Sequence, residues 1–190
     1  QDDAHVYVRP DQLTDEIEAL LGEVREAFGW FGLEPRFAFA TRPDKAIGDP
    51  ALWERAEGLV KDALDRAGGD YTIKPKDGTF YAPKIDIYID DALGREWQMA
   101  TIQIDLTMLP ERFDLTYIDE AGQPQRPMAI HRAIYGSLER FIGILVEHFA
   151  DGDLFDCTLE PGWSPMTASG LAQWGPPVTK DFLGLTPGPE

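Results

Sequence analysis

The heptapeptide KIDIYID, residues 84–90, alternates strictly between apolar and polar side chains. A period of two residues is typical of a β-strand with one buried face and one exposed face. The stretch therefore predicts a strand with two chemically different faces. Its apolar positions are Ile85, Ile87 and Ile89, and its polar positions are Lys84, Asp86, Tyr88 and Asp90.

Further strands are predicted on both sides of this one. A loop over residues 91–94 joins it to a second strand at residues 96–106. Connections this short favour antiparallel pairing, because parallel strands need longer crossovers. The other predicted strands are residues 5–8, 36–41, 113–118 and 126–130, the last two separated by a turn at residues 120–122.

Three helices are predicted because apolar residues recur there at helical spacing. The first begins at Pro10 and Asp11, the second begins at Pro50, and the third runs from about His131 to Phe149. Glycines end the first two helices, as glycine commonly does at a helix C-terminus. The predicted fold class is α+β, an antiparallel sheet flanked by helices.

Composition limits the classes of function. The chain has 190 residues, a formal charge of −17 and a single cysteine, Cys157. Lysine and arginine make most phosphate contacts, so a dominant RNA-binding surface is not expected in this stretch. No apolar run approaches the roughly 20 residues that span a bilayer, so no membrane partner is expected. No export leader is recognisable, and one cysteine fits a reducing compartment, so we expect a cytoplasmic location.

The segment 151–190 differs in composition from residues 1–150. It contains 6 glycines, 6 prolines and six acidic residues against one lysine, Lys180. It has no amphipathic period, and such a composition is typical of an extended or disordered tail. We therefore expect one domain over residues 1–150 and a Pro/Gly-rich acidic tail over 151–190.

Histidine is scarce, and only His5, His131 and His148 occur. Two histidines need a third ligand to hold zinc tightly, usually cysteine, histidine or a carboxylate. The 126 residues between His5 and His131 are a weak signal for a metal site. The alternative is that each histidine caps an element or faces solvent.

A second group of polar residues lies in the predicted strands. Tyr81, Lys84, Gln98 and Gln103 have strongly apolar neighbours. Gln98 and Gln103 have opposite parity on a regular strand, so a bulge or different neighbours would be needed to place both in one site. The alternative is an exposed sheet face with ordinary cross-strand polar pairs.

The predicted last helix begins HRAIYGSLERF. Arg132 falls in its first turn, where a cation is disfavoured by the helix dipole. Gly136 permits close approach of another backbone or of a ligand, and Arg140 follows one turn later. An arginine beside a small residue is suited to bidentate binding of a phosphate. The alternative is a surface pair of Glu139 with Arg140.

Five strings together resemble the catalytic domain of bacterial-type threonyl-tRNA synthetases, which are class II enzymes. They cover about residues 1–150, the later part of that domain. The resemblance implies an antiparallel sheet with helices, and condensation of threonine with ATP, bound with Mg²⁺, before transfer to tRNA(Thr). It also implies zinc held by one cysteine and two histidines, and a homodimer. The strings are QDDAH (1–5), FYAPKID (80–86), ALGREWQMATIQID (92–105), LPERFDLTY (109–117) and RPMAIHRAIYGSLERFIGILVEHFA (126–150).

The resemblance assigns expected roles residue by residue. His5 and His131 match the two histidine ligands of zinc, and the cysteine ligand lies upstream of Gln1 in the family. Arg140 matches the arginine that holds ATP phosphate and acts in catalysis. Gln98 matches a glutamine that contacts the nucleotide. The expected substrate-binding residues are Gln1, Asp3, Tyr81, Lys84 and Gln103.

Two positions depart from the family pattern. Ala82 stands where glycine is usual, and Met99 stands where cysteine is common. Cys157 lies outside the matched region and is not expected to replace the missing ligand. The chain is therefore expected to be a fragment of a threonine–tRNA ligase that is inactive by itself. The alternative is a non-catalytic synthetase paralogue that binds a nucleotide, an amino acid or a partner protein.

Overall fold

The computed structural model of this chain describes residues 1–105 and 108–149. The predicted tail, residues 151–190, lies outside the described residues. The strands are β1 (Ala4–Val8), β2 (Arg36–Ala40), β3 (Tyr71–Lys74), β4 (Lys84–Asp90), β5 (Glu96–Asp105), β6 (Tyr117–Ile118), β7 (Pro124–Gln125) and β8 (Met128–Ala133). The helices are α1 (Leu13–Gly29), α2 (Pro50–Ala67), α3 (Met108–Arg112) and α4 (Leu138–His148).

Six strands form one sheet in the order β1-β8-β5-β4-β2-β3, and β6 pairs with β7 in a separate hairpin. The pairs β1/β8, β8/β5, β5/β4 and β4/β2 are antiparallel, as predicted, although only β4 and β5 are joined by a short loop. The edge pair β2/β3 is parallel, and helix α2 makes the crossover that a parallel pair requires. The predicted α+β class is confirmed, with this one parallel pair added.

The hydrophobic core lies between one face of the sheet and the helices α1, α2 and α4. Ile85, Ile87 and Ile89 of β4 are fully buried in the same apolar cluster as Leu13 of α1 and Val60 of α2. Complete burial of a side chain of this size contributes about 1.5–3 kcal/mol. The predicted apolar face of β4 is therefore buried in the core, where it packs against the helices.

The prediction of one helix from about His131 to Phe149 is wrong at its start. Residues up to Ala133 form β8, which pairs with β1 and β5, and α4 begins only at Leu138. Gly136 has φ +69°, which is incompatible with a right-handed helix, and the Ser137 side chain caps α4. Arg132 consequently lies in a strand, and its expected position in a helical first turn is corrected.

Smaller differences concern short elements. The first helix begins at Leu13 rather than at Pro10 and Asp11. The strand expected over residues 113–118 is reduced to two residues, and the helix α3 before it was not predicted. Strand β3 was also missed, because four residues carry too little periodicity to detect. Among the described residues, the helices are all too short or too polar to cross a membrane.

Candidate active site

The polar residues of the central strand face away from helices α1 and α2, on what we call the polar face of the sheet. One polar side chain from each of four adjacent strands falls on a single line across this face. The register pairs His5 with His131, His131 with Gln103, and Gln103 with Lys84. Directly opposed side chains in antiparallel strands have Cβ atoms about 4.5–5.5 Å apart. Residues that are up to 126 positions apart in the chain therefore form one continuous polar row.

The two histidines are in direct contact. His5 Nε2 lies 3.1 Å from His131 Nδ1, and the rings meet edge to face with centroids 4.6 Å apart. His5 is exposed, as the alternative interpretation expected, but the two histidine side chains touch each other and do not cap separate elements. The other ring nitrogen of His131, Nε2, lies 3.1 Å from Oδ2 of Asp105.

Asp105 was not singled out from the sequence. Its side chain is fully buried, and it accepts backbone N–H bonds from Met108 and Leu109 at the start of α3. Its position in the sequence could have indicated it: Asp105 follows Gln103 by two residues on the same strand and therefore lies on the same face.

The histidine pair was tested against the geometry of a zinc site. Zn–N bonds of 2.0–2.1 Å at a tetrahedral metal place two ligand nitrogens roughly 3.3 Å apart. The 3.1 Å between His5 Nε2 and His131 Nδ1 is close to that separation. The pair fits two positions of a zinc site. Residues 1–105 and 108–149 contain no group of three or more histidine, cysteine or carboxylate side chains that could hold a metal.

Tyr81 contacts the two residues in the middle of the polar row, Gln103 and His131. Its hydroxyl donates a short hydrogen bond to Oε1 of Gln103, and its ring centroid lies 5.7 Å from that of His131. Burial, together with the negative charges of Asp105 and Asp3, raises the pKa of Tyr81 above its ordinary value. The phenol is therefore a hydrogen-bond donor at neutral pH and orients the Gln103 amide.

A buried carboxylate organises the other end of the polar face. Asp86 is fully buried, and its Oδ2 accepts a 2.6 Å bond from Lys84 Nζ. Its Oδ1 accepts bonds from Gln98 Nε2 at 2.7 Å and from Thr101 Oγ1 at 3.4 Å. Burial raises the pKa of Asp86, which the Lys84 charge partly offsets. Asp86 thus fixes two residues that the sequence singled out separately.

Of the two possibilities that the parity of the glutamines left open, the bulge is present in β5. The register passes from the pair Ile87/Ala100 to the pair Tyr88/Gln98, so Met99 is the extra residue. Beyond this irregularity, Gln98 lies on the same face as Gln103, and one face holds both.

Gly136 explains how the loop before α4 reaches this bulge. A Cβ built on Gly136 would lie 1.8 Å from the carbonyl oxygen of Met99. The predicted close approach is therefore to another backbone. It follows that a side chain at position 136 would push the loop away from β5.

Arg140 lies beside the same bulge. Its Nη1 donates to the Gln98 carbonyl oxygen at 3.0 Å, and its guanidinium lies 5.2 Å from the centroid of the Trp97 ring. The alternative of a surface pair with Glu139 is not what the structure has, since Glu139 accepts from the Ser137 hydroxyl at 3.2 Å. The two residues expected to contact ATP, Gln98 and Arg140, are thus neighbours.

Among the first three residues, the structure gives its contacts to Asp2, whereas the sequence assigned roles to Gln1 and Asp3. Gln1 and Asp3 are exposed. Asp2, which the sequence did not single out, accepts backbone N–H bonds from the loop before α4. Its donors are Ile134 at 2.9 Å, Tyr135 at 3.1 Å and Gly136 at 2.9 Å. The structure therefore gives Asp2 an anchoring role, and the substrate-binding roles of Gln1 and Asp3 stay predictions.

Comparison with known proteins supports one family. The family described as the tRNA synthetase class II core domain (G, H, P, S and T) matches residues 1–149. A threonine–tRNA ligase of Anaeromyxobacter dehalogenans is 53% identical over 150 residues, which are 79% of this chain and 23% of the relative. A threonine–tRNA ligase of Nitratidesulfovibrio vulgaris is 54% identical over the same shares. The chain thus spans about a quarter of the length of the curated relatives it matches.

Solved structures give the same result. The RNA binding domain of threonyl-tRNA synthetase from Cryptosporidium parvum Iowa II superposes with a TM-score of 0.74 at 41% identity, over 81% of this chain and 38% of that one. A protein described as threonyl-tRNA synthetase from Aeropyrum pernix superposes with a TM-score of 0.67 at 29% identity, over 79% and 36%. The predicted resemblance to threonyl-tRNA synthetases is confirmed, and the chain belongs to the class II tRNA synthetase core-domain family.

Proposed function

We propose that this chain is part of the catalytic domain of a threonine–tRNA ligase, which activates threonine with ATP and transfers it to tRNA(Thr). The observation that carries the proposal is the polar row formed by His5, His131, Gln103 and Lys84 across four adjacent strands. Relatives named threonine–tRNA ligase are 53% and 54% identical to this chain over 150 residues that include the row. We propose residues 1–150 as the partial catalytic domain and 151–190 as a separate tail.

The histidine end of the row is the proposed threonine side. His5 and His131 would hold zinc, and the third ligand, a cysteine, would come from a part of the enzyme upstream of this chain. The bound zinc would supply a Lewis acid and a template for the amino and hydroxyl groups of threonine. A site built to bind a hydroxyl rejects valine, which lacks one, because polar groups are then left unpaired.

Residues of this chain would position the rest of the amino acid. Gln103, oriented by the Tyr81 hydroxyl, offers its amide N–H groups as donors to the row. Asp3 lies close enough to Tyr81 for its charge to raise the tyrosine pKa. A carboxylate there is suited to the ammonium group of an amino acid. Lys84 and Gln1 are assigned to the same substrate by resemblance alone.

The other end of the polar face is the proposed nucleotide side. Gln98 and Arg140 lie together at the β5 bulge, with the Arg140 guanidinium beside Trp97. A guanidinium can bind phosphate oxygens in a bidentate manner and so stabilise charge that develops during adenylate formation. ATP with Mg²⁺ is the proposed substrate, and Arg140 is the proposed catalytic residue.

The isolated chain is expected to be inactive. By resemblance to the family, the cysteine ligand and further phosphate-binding groups belong to segments upstream of Gln1, and the chain spans 23% of the length of its relatives. Each missing preorganised group typically costs on the order of 10²–10³ in rate. We further propose that the parent enzyme is a cytoplasmic homodimer.

A chimeric enzyme tests the proposed function. Residues 1–149 of this chain would replace the matching residues of the Anaeromyxobacter dehalogenans ligase, and ATP–pyrophosphate exchange with threonine would be measured. We expect exchange from the chimera, and loss of about 10²-fold or more from the same chimera carrying Arg140→Ala. A folded chimera without exchange would contradict the proposal.

The alternative, a non-catalytic paralogue, rested on the departures at Ala82 and Met99. Both side chains are apolar and buried, and Met99 belongs to the hydrophobic core, so neither adds a polar group to the polar face. The chimera separates the two functions, since a paralogue scaffold should bind a nucleotide or amino acid without exchanging pyrophosphate. Zinc content of the chimera gives a second test, with one zinc per chain expected for the ligase.

A further inference from the structure

The histidine pair is joined to a third residue whose role the proposed function does not use. Asp105 Oδ2 lies 3.1 Å from His131 Nε2, and His131 Nδ1 lies 3.1 Å from His5 Nε2. The three side chains therefore form a linear chain of contacts that ends at the exposed histidine. Asp105 is fully buried, whereas the His131 side chain is 14% exposed.

The Asp105 carboxylate is held in place from the backbone. Its Oδ1 accepts the Met108 N–H at 2.7 Å, and its Oδ2 accepts the Leu109 N–H at 2.9 Å. These bonds cap the start of α3, so the carboxylate cannot turn away from His131 without exposing both donors. The helix itself is held by Arg126, which donates to the Pro110 carbonyl oxygen.

An ionised carboxylate only accepts hydrogen bonds, and a neutral imidazole donates from one nitrogen and accepts at the other. A proton on Nδ1 would leave the lone pair of His131 Nε2 facing a carboxylate oxygen at 3.1 Å, so the geometry favours the proton on Nε2, with the lone pair of Nδ1 directed at His5. We propose that Asp105 is a positioning residue that fixes His131 as the Nε2–H tautomer and so presets Nδ1 as the nitrogen that binds a ligand.

The consequence for His5 follows from the same contact. With Nδ1 of His131 as an acceptor, His5 donates from Nε2 when no metal is bound. A divalent cation between the two rings then requires only that the His5 proton move from Nε2 to Nδ1, with no net loss of a proton. Since His5 is exposed, water can exchange that proton, while His131 needs no change.

The metal part of this inference rests on the proposed function, and the tautomer part does not. The experiment is therefore a long-range ¹H–¹⁵N correlation spectrum of the whole chain at about pH 8.5, where ordinary histidines are neutral. We expect a protonated-type Nε2 and an unprotonated-type Nδ1 for His131. Averaged shifts, or a protonated Nδ1, would overturn the proposal without affecting the proposed function.

Substitution of Asp105 provides the second arm. In Asp105→Ala, His131 should lose its single tautomer and show averaged shifts, while backbone amide shifts of β5 and β8 report whether the sheet is intact. A pure Nε2–H tautomer in a folded Asp105→Ala chain would contradict the proposal. If this variant does not fold, the wild-type spectrum decides.

The matched control is Asp119→Ala. Asp119 also accepts two backbone N–H bonds, from Ala121 at 2.9 Å and Gln123 at 2.8 Å, but it lies in a turn without a histidine. Its loss should leave the His131 tautomer unchanged. Titration with zinc alone, carried out on the chimera that supplies the upstream cysteine, should show affinity about 10–100-fold weaker with Asp105→Ala than without it, the usual effect of removing an outer partner of a ligand. Equal affinities would overturn the proposed effect of Asp105 on His131, and a folded chimera without zinc affinity would contradict the proposed metal site instead.

Discussion

On one face of the sheet, Ile85 and Ile87 pack beneath helices, while on the other face the intervening Asp86 binds Lys84 and Gln98. Both faces contain fully buried side chains, but the contacts differ in kind. Apolar packing has no direction and scales with area, whereas each hydrogen bond of a buried carboxylate depends on one partner in one place. The first face should therefore govern stability, and the second should govern the geometry of the candidate site.

The largest expected effect comes from the apolar face. Ile85→Ala removes a fully buried side chain from the core, and we expect a loss of about 2–5 kcal/mol in the free energy of unfolding. Urea titration followed by tryptophan fluorescence measures it. The control is Leu93→Ala in the loop after β4, where the side chain is 70% exposed and little change is expected. Equal losses in both variants would show that the isoleucine layer is not the core.

The contact between the loop before α4 and the β5 bulge can be broken at Gly136. Gly136→Ala places a Cβ 1.8 Å from the Met99 carbonyl at a φ of +69°, and we expect a loss of about 2–4 kcal/mol. Gly122→Ala is the matched control, since Gly122 has φ +75° and no atom within 4 Å of a Cβ. It should lose only about 1–2 kcal/mol from the backbone conformation. Equal losses would mean that the close approach to the bulge carries no free energy.

A substitution on the polar face should change the positions of neighbouring side chains more clearly than it changes the free energy of unfolding. Asp86→Ala leaves the Lys84 ammonium, 15% exposed, without its partner, and we expect a loss of about 1–3 kcal/mol. Backbone and side-chain NMR shifts of Gln98 and Thr101 should change as well, because both donate to Asp86. Lys61→Ala on the exposed surface of α2 is the control and should alter neither region. Unchanged Gln98 shifts in a folded Asp86→Ala chain would refute the organising role of Asp86.

The smallest expected effect is a difference between two buried carboxylates, Asp91 and Asp86, in how their contribution to stability depends on pH. Burial disfavours ionisation of Asp91, but hydrogen bonds from the Trp97 indole, from Arg95 and from the Leu93 N–H lower its pKa to about 2. A folded-state pKa below the unfolded value stabilises the protein above the ordinary aspartate pKa of about 3.9, and this stability is lost as pH falls through 2. Asp91→Asn should therefore lower the urea midpoint at neutral pH, and the deficit should narrow in acid.

The stability that Asp86 contributes should change with pH in the opposite direction. Because burial raises its pKa, its contribution is complete below the ordinary value and is lost as pH rises through the raised value. The difference in urea midpoint between wild type and Asp86→Asn should then become smaller as pH rises. Urea midpoints of both variants across the acid range test the pair, and parallel pH profiles would contradict the assignment of opposite shifts.

Periodicity predicted the elements with strong local signals. The alternation of KIDIYID located β4 and its buried face, and helical spacing located α1 and α2. The start of α4 was missed because the residues around His131 fit both a helical stripe and a strand, and only pairing with β1 and β5 decides between them. Short elements such as α3 lack enough residues to show a period.

Resemblance named His5, His131, Gln103 and Lys84 one at a time, and the chain order alone says nothing of their distances. The parity of Gln98 and Gln103 left a bulge or different neighbours as the two possibilities, and the structure has the bulge. The position of Asp105 indicated the face it shares with Gln103, but not its contact with His131, which is 26 residues away in the chain. Asp2 was missed because its partners are backbone N–H groups more than 130 residues away, and such a contact has no signature in sequence.

The amino-acid sequence by itself determined which apolar residues share a face in the long elements, since side-chain directions repeat regularly along a strand or a helix. It also determined the family, through motifs spread over residues 1–149. Only the tertiary structure decided which polar groups meet. The order β1-β8-β5-β4 aligns four side chains into one row, and backbone donors at α3 orient the carboxylate behind His131. Hydrogen bonds act over about 3 Å, so their partners are settled only when distant strands are in register.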